Sequence, residues 1–251
     1  MNADAVIASA GAGRRFMEGK KKQFLLLGEK PILARALDSF EASPLIRSIH
    51  LVVAPEDMDY CLKEIVEKYG YRKIVAIRPG GKQRQDSVRH GIDSLAADSD
   101  IVVIHDGVRP FVTPTMIEAS IRSAVTLGAV VLAVPVKETV KMVDPDGTVL
   151  KTLDRETLWQ IQTPQAFQTS ILREAFRKAA GDGFVATDDA SLVERLGVAV
   201  HVLPGSYRNI KITTPEDLTL ANLLLTAETS SRPEQALPTK HQGTQGTDRC
   251  E

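Results

Sequence analysis

Ala5-Val6-Ile7-Ala8-Ser9-Ala10-Gly11-Ala12-Gly13-Arg14-Arg15-Phe16 lies near the start of the chain, and its reading decides the rest. The first four residues are apolar, β-branched at the centre and bounded by small side chains, which predicts a short buried strand. The glycine-rich loop after it turns backbone N–H groups outward, and Arg14, Arg15, Lys20, Lys21 and Lys22 add five cations within nine residues. A strand that ends in such a loop suits a polyphosphate. Two better-known phosphate loops fit less well. A dinucleotide fingerprint needs a third glycine where Phe16 stands, and a P-loop needs a hydroxyl that Gly19-Lys20-Lys21 does not supply. A plain glycine turn with solvated charges stays open on this stretch alone.

Outward from the loop, strands and helices alternate. Pro31 opens a helix with apolar residues at 32, 33, 36, 37 and 40, Ile49–Ala54 is a second strand, Asp57–Tyr69 a helix stopped by Gly70, and Lys73–Ile77 a third strand. Gly80-Gly81-Lys82-Gln83-Arg84-Gln85-Asp86-Ser87 repeats the pattern of glycines and cations between a strand and a helix, the latter running to about Leu95. Ile101-Val102-Val103-Ile104-His105-Asp106-Gly107 then carries an apolar strand into an acid, at the carboxyl end where open α/β sheets bind ligands. Pro114 starts a helix to about Leu127, and Ala129–Val134 is a fifth strand. The expected fold is a Rossmann-like three-layer α/β/α domain with a mostly parallel sheet.

The pattern changes at Pro135. Lys141–Val143 and Val149–Leu150 flank Asp144-Pro145-Asp146-Gly147, a turn sequence for a β-hairpin. A hairpin this small has too little core to stand alone, so an arm over about residues 136–157 is expected to pack on its counterpart in a homodimer. Leu158–Gln162 rejoins the sheet, Ser170–Ala179 is helical, and Thr187 or Asp188 caps a helix to Leu196. Val198–Leu203 and Ile210–Ile212 are expected as late strands, and Thr214-Pro215-Glu216-Asp217 opens a last helix to about Leu225. One domain over 1–227 is followed by a 228–251 tail, rich in Ser, Thr, Gln, Gly and Pro, that is expected to be disordered. No internal repeat is apparent.

The 251 residues carry 31 basic and 32 acidic side chains, net charge −1, with 43% hydrophobic residues. That balance gives no global field toward nucleic acid or an anionic membrane, so anion binding must be local. Two cysteines, Cys61 and Cys250, read as incidental thiols in a reducing cytoplasm, and neither a leader peptide nor a membrane span is expected.

A parallel sheet gathers its strand ends along one edge, which should bring Arg14, Arg15, Lys20, Lys21, Lys22, Lys82 and Arg84 around a single carboxylate, Asp106. Many cations with one acid suit Mg²⁺ (or another divalent cation) held mainly by substrate phosphates. Asp106 as a loop cap is the plainer alternative. Ser9 and Ser87 lack an obvious histidine partner, and His105 fits a core histidine as well as a functional one. Chemistry by positioning and charge neutralisation is what remains, as in nucleotidyl transfer.

These residues also resemble a family. Ala8–Phe16, Lys22-Gln23, Asp86-Ser87-Val88, His105–Pro110, Asp154-Arg155 through Trp159, Gln162-Thr163-Pro164-Gln165, Thr187-Asp188 and Asn209-Ile210-Lys211 occur in the order found in 2-C-methyl-D-erythritol 4-phosphate cytidylyltransferases, over about residues 3–225. The resemblance implies transfer of CMP from CTP to methylerythritol 4-phosphate with release of pyrophosphate, in the non-mevalonate isoprenoid pathway. It implies catalytic roles for Arg15, Lys22 and Lys211, the last at the α-phosphate. Ala10, Gly11, Ala12, Gly13, Gly81, Ser87, Asp106 and Gly107 would form the CTP site, with Asp106 also beside the metal. Arg109, Thr139 and Arg155 would hold the polyol phosphate, the latter two reaching a neighbouring subunit. Lys21, Phe16 and Gly107 depart from the residues common in that family (Pro, Met and Ala). Ribitol 5-phosphate cytidylyltransferase is the nearest alternative, and an NAD-binding oxidoreductase and a non-catalytic nucleotide-binding module are more distant ones.

Overall fold

A computed structural model describes residues 1–11 and 21–230. In chain order its elements are β1 (Ala3–Ser9), a ribbon of β2 (Leu26–Leu27) and β3 (Lys30–Pro31), α1 (Ile32–Ala42), β4 (Ile46–Val53), α2 (Met58–Tyr60) running into a π-helical Cys61–Glu67, and β5 (Ile74–Pro79). Then come α3 (Arg84–Asp93), β6 (Ile101–Asp106), α4 (Pro114–Leu127), β7 (Ala129–Pro135), β8 (Lys141–Val143), β9 (Val149–Thr152) and β10 (Trp159–Gln168). The chain continues through α5 (Thr169–Asp182), α6 (Asp189–Glu194), β11 (His201–Pro204) and α7 (Pro215–Ser230).

Seven strands form one sheet in the order β11-β7-β10-β6-β1-β4-β5. All neighbours are parallel except β10, which lies antiparallel between β6 and β7. Alternation along β1 explains the layers. Ala3, Ala5 and Ile7 face a core made with α1, α2 and α4, whereas Val6 faces one made with α3, α5 and α6. A third cluster seats α7 over Leu27, Ile32 and Phe111. The mostly parallel α/β sheet with helices on both faces is therefore the fold expected from the sequence.

Close packing at one glycine sets where α3 lies. A Cβ on Gly91 would fall 2.3 Å from Val6 Cγ1, so only glycine lets α3 approach β1 this closely and point its amino end at the β1 loop. That amino end is closed by Gln83 and Asp86 as a reciprocal capping box.

Several expectations need correction. Ile210–Ile212 is not a strand: Ile210 N bonds back to Arg208 O and Ile212 N reaches only Val108 O, so the segment crosses the strand ends instead of joining the ladder. The late strand is His201–Pro204, shorter than Val198–Leu203, and it pairs with Val130–Ala133 of β7. β10 extends to Gln168, beyond Gln162, resuming its pairing with β7 at Gln165 after a register break. The last helix reaches Ser230, past Leu225 and into the segment expected as tail, and residues 231–251 lie outside the described residues. Its start is as expected: the Asp217 carboxylate accepts from the backbone N–H groups of Thr213 and Thr214 at 2.7 and 2.8 Å.

The hairpin of β8 and β9 forms, with every strand residue exposed. No helix among the described residues is long and apolar enough to cross a membrane. Cys61 is buried, which pushes its thiol up to about 12.

In the middle of β4, buried His50 sits between the hydroxyls of Ser94 (2.7 Å) and Ser48 (3.2 Å), and Ser48 donates to buried Asp4. Burial lowers the His50 pKa more than Asp4 raises it, with Arg78 and Arg47 adding to the depression. The unfolded ring takes a proton near pH 6.5 while the native ring does not, so stability falls as pH drops below about 6.5. Thermal melts should therefore show a lower midpoint at pH 5.5 than at 7.5, and the drop should shrink in His50→Gln; an undiminished drop would contradict this.

Candidate active site

Three strand ends and one crossing segment meet at Asp106, the last residue of β6 and only 6% exposed. A carboxylate this buried must be paired or lose its charge. Arg84 Nε, from the first turn of α3, donates to Asp106 Oδ1 at 3.0 Å, and Lys211 Nζ lies 2.8 Å from Oδ2. Arg109 Nε, on the loop after β6, is 3.9 Å from the same Oδ2. Burial alone would raise the Asp106 pKa, but Arg84, then Lys211 and Arg109, hold it far below the usual carboxylate range. Asp106 is thus ionised, and its ion pairs argue against the plain loop-cap reading.

The expectation of a single carboxylate is wrong. Asp189, the first residue of α6 and 1% exposed, sits with Oδ2 2.8 Å from Arg84 Nη1, off the N–H direction. Burial raises its pKa, partly offset by Arg84. Arg84 is itself held more firmly protonated, because the pull of Asp189 and then Asp106 exceeds the opposing effect of burial. The sequence signal for Asp189 was present in the paired acids Asp188-Asp189. Asp188 satisfies the cap by accepting from Ser191 N, which leaves a second acid that needs a cation.

His105 proves to be a core histidine. Its Nδ1 is 3.0 Å from the Thr163 hydroxyl, its Nε2 is 3.2 Å from Arg109 O, and full burial lowers its pKa to about 3. Thr163 Oγ1 also accepts from Asp106 N, so the β10 register break is stitched to the end of β6. Asn209 extends this scaffold: its side chain donates to Thr163 O at 2.9 Å, and its own carbonyl accepts from Arg109 Nη1 at 2.8 Å.

Two cavities share this centre. The first, of about 310 Å³, is lined by Ala10, Gly11, Lys22, Gly81, Ser87 and Asp106, with Ser9, Arg84 and Lys211. Gly81 N donates to Ser87 Oγ at 3.1 Å, which fixes the second glycine loop against α3. Gln23, 1% exposed, donates to Ser9 O at 3.0 Å and so fastens the residue after Lys22 to the end of β1. The second cavity, about 430 Å³, is lined by Arg109, Thr163, Thr187 and Glu194, and shares Arg84, Asp106 and Lys211 with the first. Ser9 Oγ at the first cavity and Arg109 Nε at the second are buried without a hydrogen-bond partner among the described residues.

The structure therefore unites Ala10, Gly11, Lys22, Gly81, Ser87, Asp106 and Lys211, with Arg109 alongside. Ala12, Gly13, Arg14, Arg15, Phe16 and Lys20 lie outside the described residues. Lys21 does not join: its ammonium is 2.5 Å from Glu56 Oε1 and 2.7 Å from Asp57 Oδ2, at the turn after β4. Gly107 is buried and lines neither cavity, and a Cβ there would lie 2.8 Å from Leu33 Cδ1, so glycine lets this turn pack closely on α1. Thr139 and Arg155 are exposed at the root of the arm, where Arg155 Nη1 donates to Lys137 O, and neither lines either of these two cavities.

Comparison with known proteins agrees with this architecture. A family model for 2-C-methyl-D-erythritol 4-phosphate cytidylyltransferase matches residues 3–227. The chain is 50% identical over 223 residues to the protein of that name from Pelotomaculum thermopropionicum, covering 89% of this chain and 94% of the relative. It is 44% identical over 234 residues to that of Geotalea uraniireducens, covering 92% and 100%. Among solved structures, the 4-diphosphocytidyl-2C-methyl-D-erythritol synthase of Anaerococcus prevotii superposes with a TM-score of 0.80 at 33% identity, over 90% of this chain and 98% of that one.

Neutralising Asp106 would leave Arg84, Arg109 and Lys211 facing each other across a half-dry site. Asp106→Asn should therefore cost about 2–4 kcal/mol in urea unfolding, and added pyrophosphate should recover part of that loss; unchanged stability would contradict the pairing.

Proposed function

We propose a division of labour on one premise: this chain belongs to the 2-C-methyl-D-erythritol 4-phosphate cytidylyltransferase family. It is a nucleotidyltransferase that transfers CMP from CTP to 2-C-methyl-D-erythritol 4-phosphate, releasing pyrophosphate, in isoprenoid biosynthesis. The observation that carries the proposal is that two cavities meet at one charged wall, Arg84, Asp106 and Lys211. A two-substrate transfer needs such a junction, with the nucleotide on one side and the attacking phosphate on the other.

The first cavity takes CTP. Ala10, Gly11, Gly81 and Ser87 line it with small side chains and backbone groups, a surface suited to the nucleoside, and the orphan Ser9 hydroxyl offers it one more polar contact. Lys22 draws the triphosphate and stabilises the departing pyrophosphate; Arg15, with Ala12 and Gly13, is assigned the same loop by family likeness. Lys211 stands at the junction and meets the α-phosphate, where charge develops as the acceptor attacks in line. In the second cavity, Arg109 presents its unpartnered Nε to the acceptor phosphate.

A divalent cation fits the donor set. No group of three His, Cys, Asp or Glu among the described residues is placed to hold a metal, and Asp106 is the one carboxylate lining both cavities. Mg²⁺ is commonly bound by one or two carboxylates plus substrate phosphates. Asp106 would hold it with the triphosphate, and when bound it supplies further neutralisation of phosphate charge.

The arm completes the site from a second subunit. Met142, Val143, Val149 and Leu150 are all about half exposed or more on β8 and β9, an apolar surface suited to a homodimer. Thr139 and Arg155 at its root would then reach the partner's second cavity and the polyol. The net charge of −1 gives no reason to invoke nucleic acid or membrane, and we place the enzyme in the cytoplasm.

Pyrophosphate release from CTP should depend on a divalent cation and on methylerythritol 4-phosphate. Release with ribitol 5-phosphate instead would overturn the acceptor, and release with neither would overturn the activity. In the same assay Lys22→Ala and Lys211→Ala should each lower turnover by about 10²–10³-fold, Lys22→Ala with a melting midpoint near the parent's and Lys211→Ala with a lower one, because it leaves Asp106 short of a partner. Turnover near the parent's in either variant would refute its role.

A further inference from the structure

The Arg84 fork is divided between two acids. A guanidinium facing a carboxylate ordinarily engages both oxygens with two parallel N–H groups. Arg84 instead gives only Nε to Asp106 Oδ1, while its Nη1 is drawn 2.8 Å from Asp189 Oδ2. Asp106 Oδ2 is thereby left to Lys211 Nζ, at 2.8 Å. Asp189 is costly to keep. It is buried to 1% exposure, its Oδ2 lacks a well-aligned hydrogen bond, and the cap of α6 is already supplied by Asp188.

Both ends of this contact are fastened to the fold. Gln85, next to Arg84 on α3, donates to Phe184 O at 3.1 Å and accepts from Ala186 N at 2.8 Å, gripping the loop that leads into α6. Gln165 on β10 donates to Asp188 Oδ2 at 2.9 Å and accepts from Ala190 N at 3.2 Å. The distance between Arg84 and Asp189 is thus set by two glutamine clamps on either side.

We propose that Asp189 is a positioning residue for the transfer step: by holding Arg84 Nη1 it keeps the guanidinium from turning its Nε and Nη2 edge squarely onto Asp106, and so reserves Asp106 Oδ2 to seat Lys211. The inference rests on the reading of Lys211 as the cation at the α-phosphate. Once the Asp189 charge is gone, Arg84 closes on Asp106 as a two-pronged pair, and Lys211 loses its anchor. The small-residue surface for the nucleoside is untouched.

Steady-state kinetics of pyrophosphate release on the full chain, with CTP, methylerythritol 4-phosphate and Mg²⁺, test this. Asp189→Asn should lower kcat about tenfold while KM for CTP stays within about twofold of the parent and the melting midpoint stays within a few degrees. Arg84→Lys, a point cation without the fork, cannot close on Asp106 as a two-pronged pair, so adding Asp189→Asn to it should cost nothing further in kcat. A parent-like kcat in Asp189→Asn, or a loss carried by KM, overturns the inference. If Asp189→Asn alone does not fold, the Arg84→Lys background decides: a further loss of kcat on adding Asp189→Asn overturns the inference, and an unchanged kcat supports it. A parent protein that releases no pyrophosphate fails the functional reading first, and the inference with it.

Discussion

The site depends on keeping one carboxylate charged in a place that water scarcely reaches. Asp106 is 6% exposed at the end of a strand whose every residue is buried, and an unpaired charge there would cost several kcal/mol. Two of its partners come from distant parts of the chain, the first turn of α3 and the segment before α7, and the third from the loop that directly follows it. Pairing them satisfies Asp106 and at the same moment fixes three cations at the edge where the glycine loops open. Stability and anion binding therefore draw on the same contacts.

The sheet makes this convergence possible. Parallel β1, β4, β5 and β6 deliver their carboxyl ends to one edge, and the antiparallel β10 brings Thr163 and Gln165 up beside Asp106 from the other direction. The break in β10 pairing lets Thr163 bond to both Asp106 N and the His105 ring, closing off the space behind the acid. The result is two cavities with a common charged wall, and the hydroxyl lining them that touches a histidine, Thr163, is held in the scaffold by Asp106 N. Such a surface accelerates transfer by holding two phosphates in line and neutralising the charge that passes between them.

Much of this was legible in the sequence because it is local. A β-branched run into glycines, an apolar run into His-Asp-Gly, and Thr-Pro-Glu-Asp before a helix each carry their own geometry, and β1, β6 and α7 begin or end where those signals stand. What escaped is tertiary. Ile210-Lys211-Ile212 alternates like a strand, yet no free edge lies beside it, so it crosses the sheet and Lys211 reaches Asp106. Lys21 belongs by spacing to the cation run, but its ammonium is taken by Glu56 and Asp57. Asp189 could not be separated from its neighbour Asp188 without knowing which of the two caps the helix.

The central claim is that this wall works by placement, with the acceptor phosphate attacking the α-phosphorus directly and no covalent enzyme intermediate. The stereochemical course of transfer from CTP made chiral at the α-phosphorus by sulfur substitution tests it most directly. One in-line displacement predicts inversion at phosphorus in the product; retention would require two displacements through an enzyme-bound nucleotidyl group, and would contradict the account.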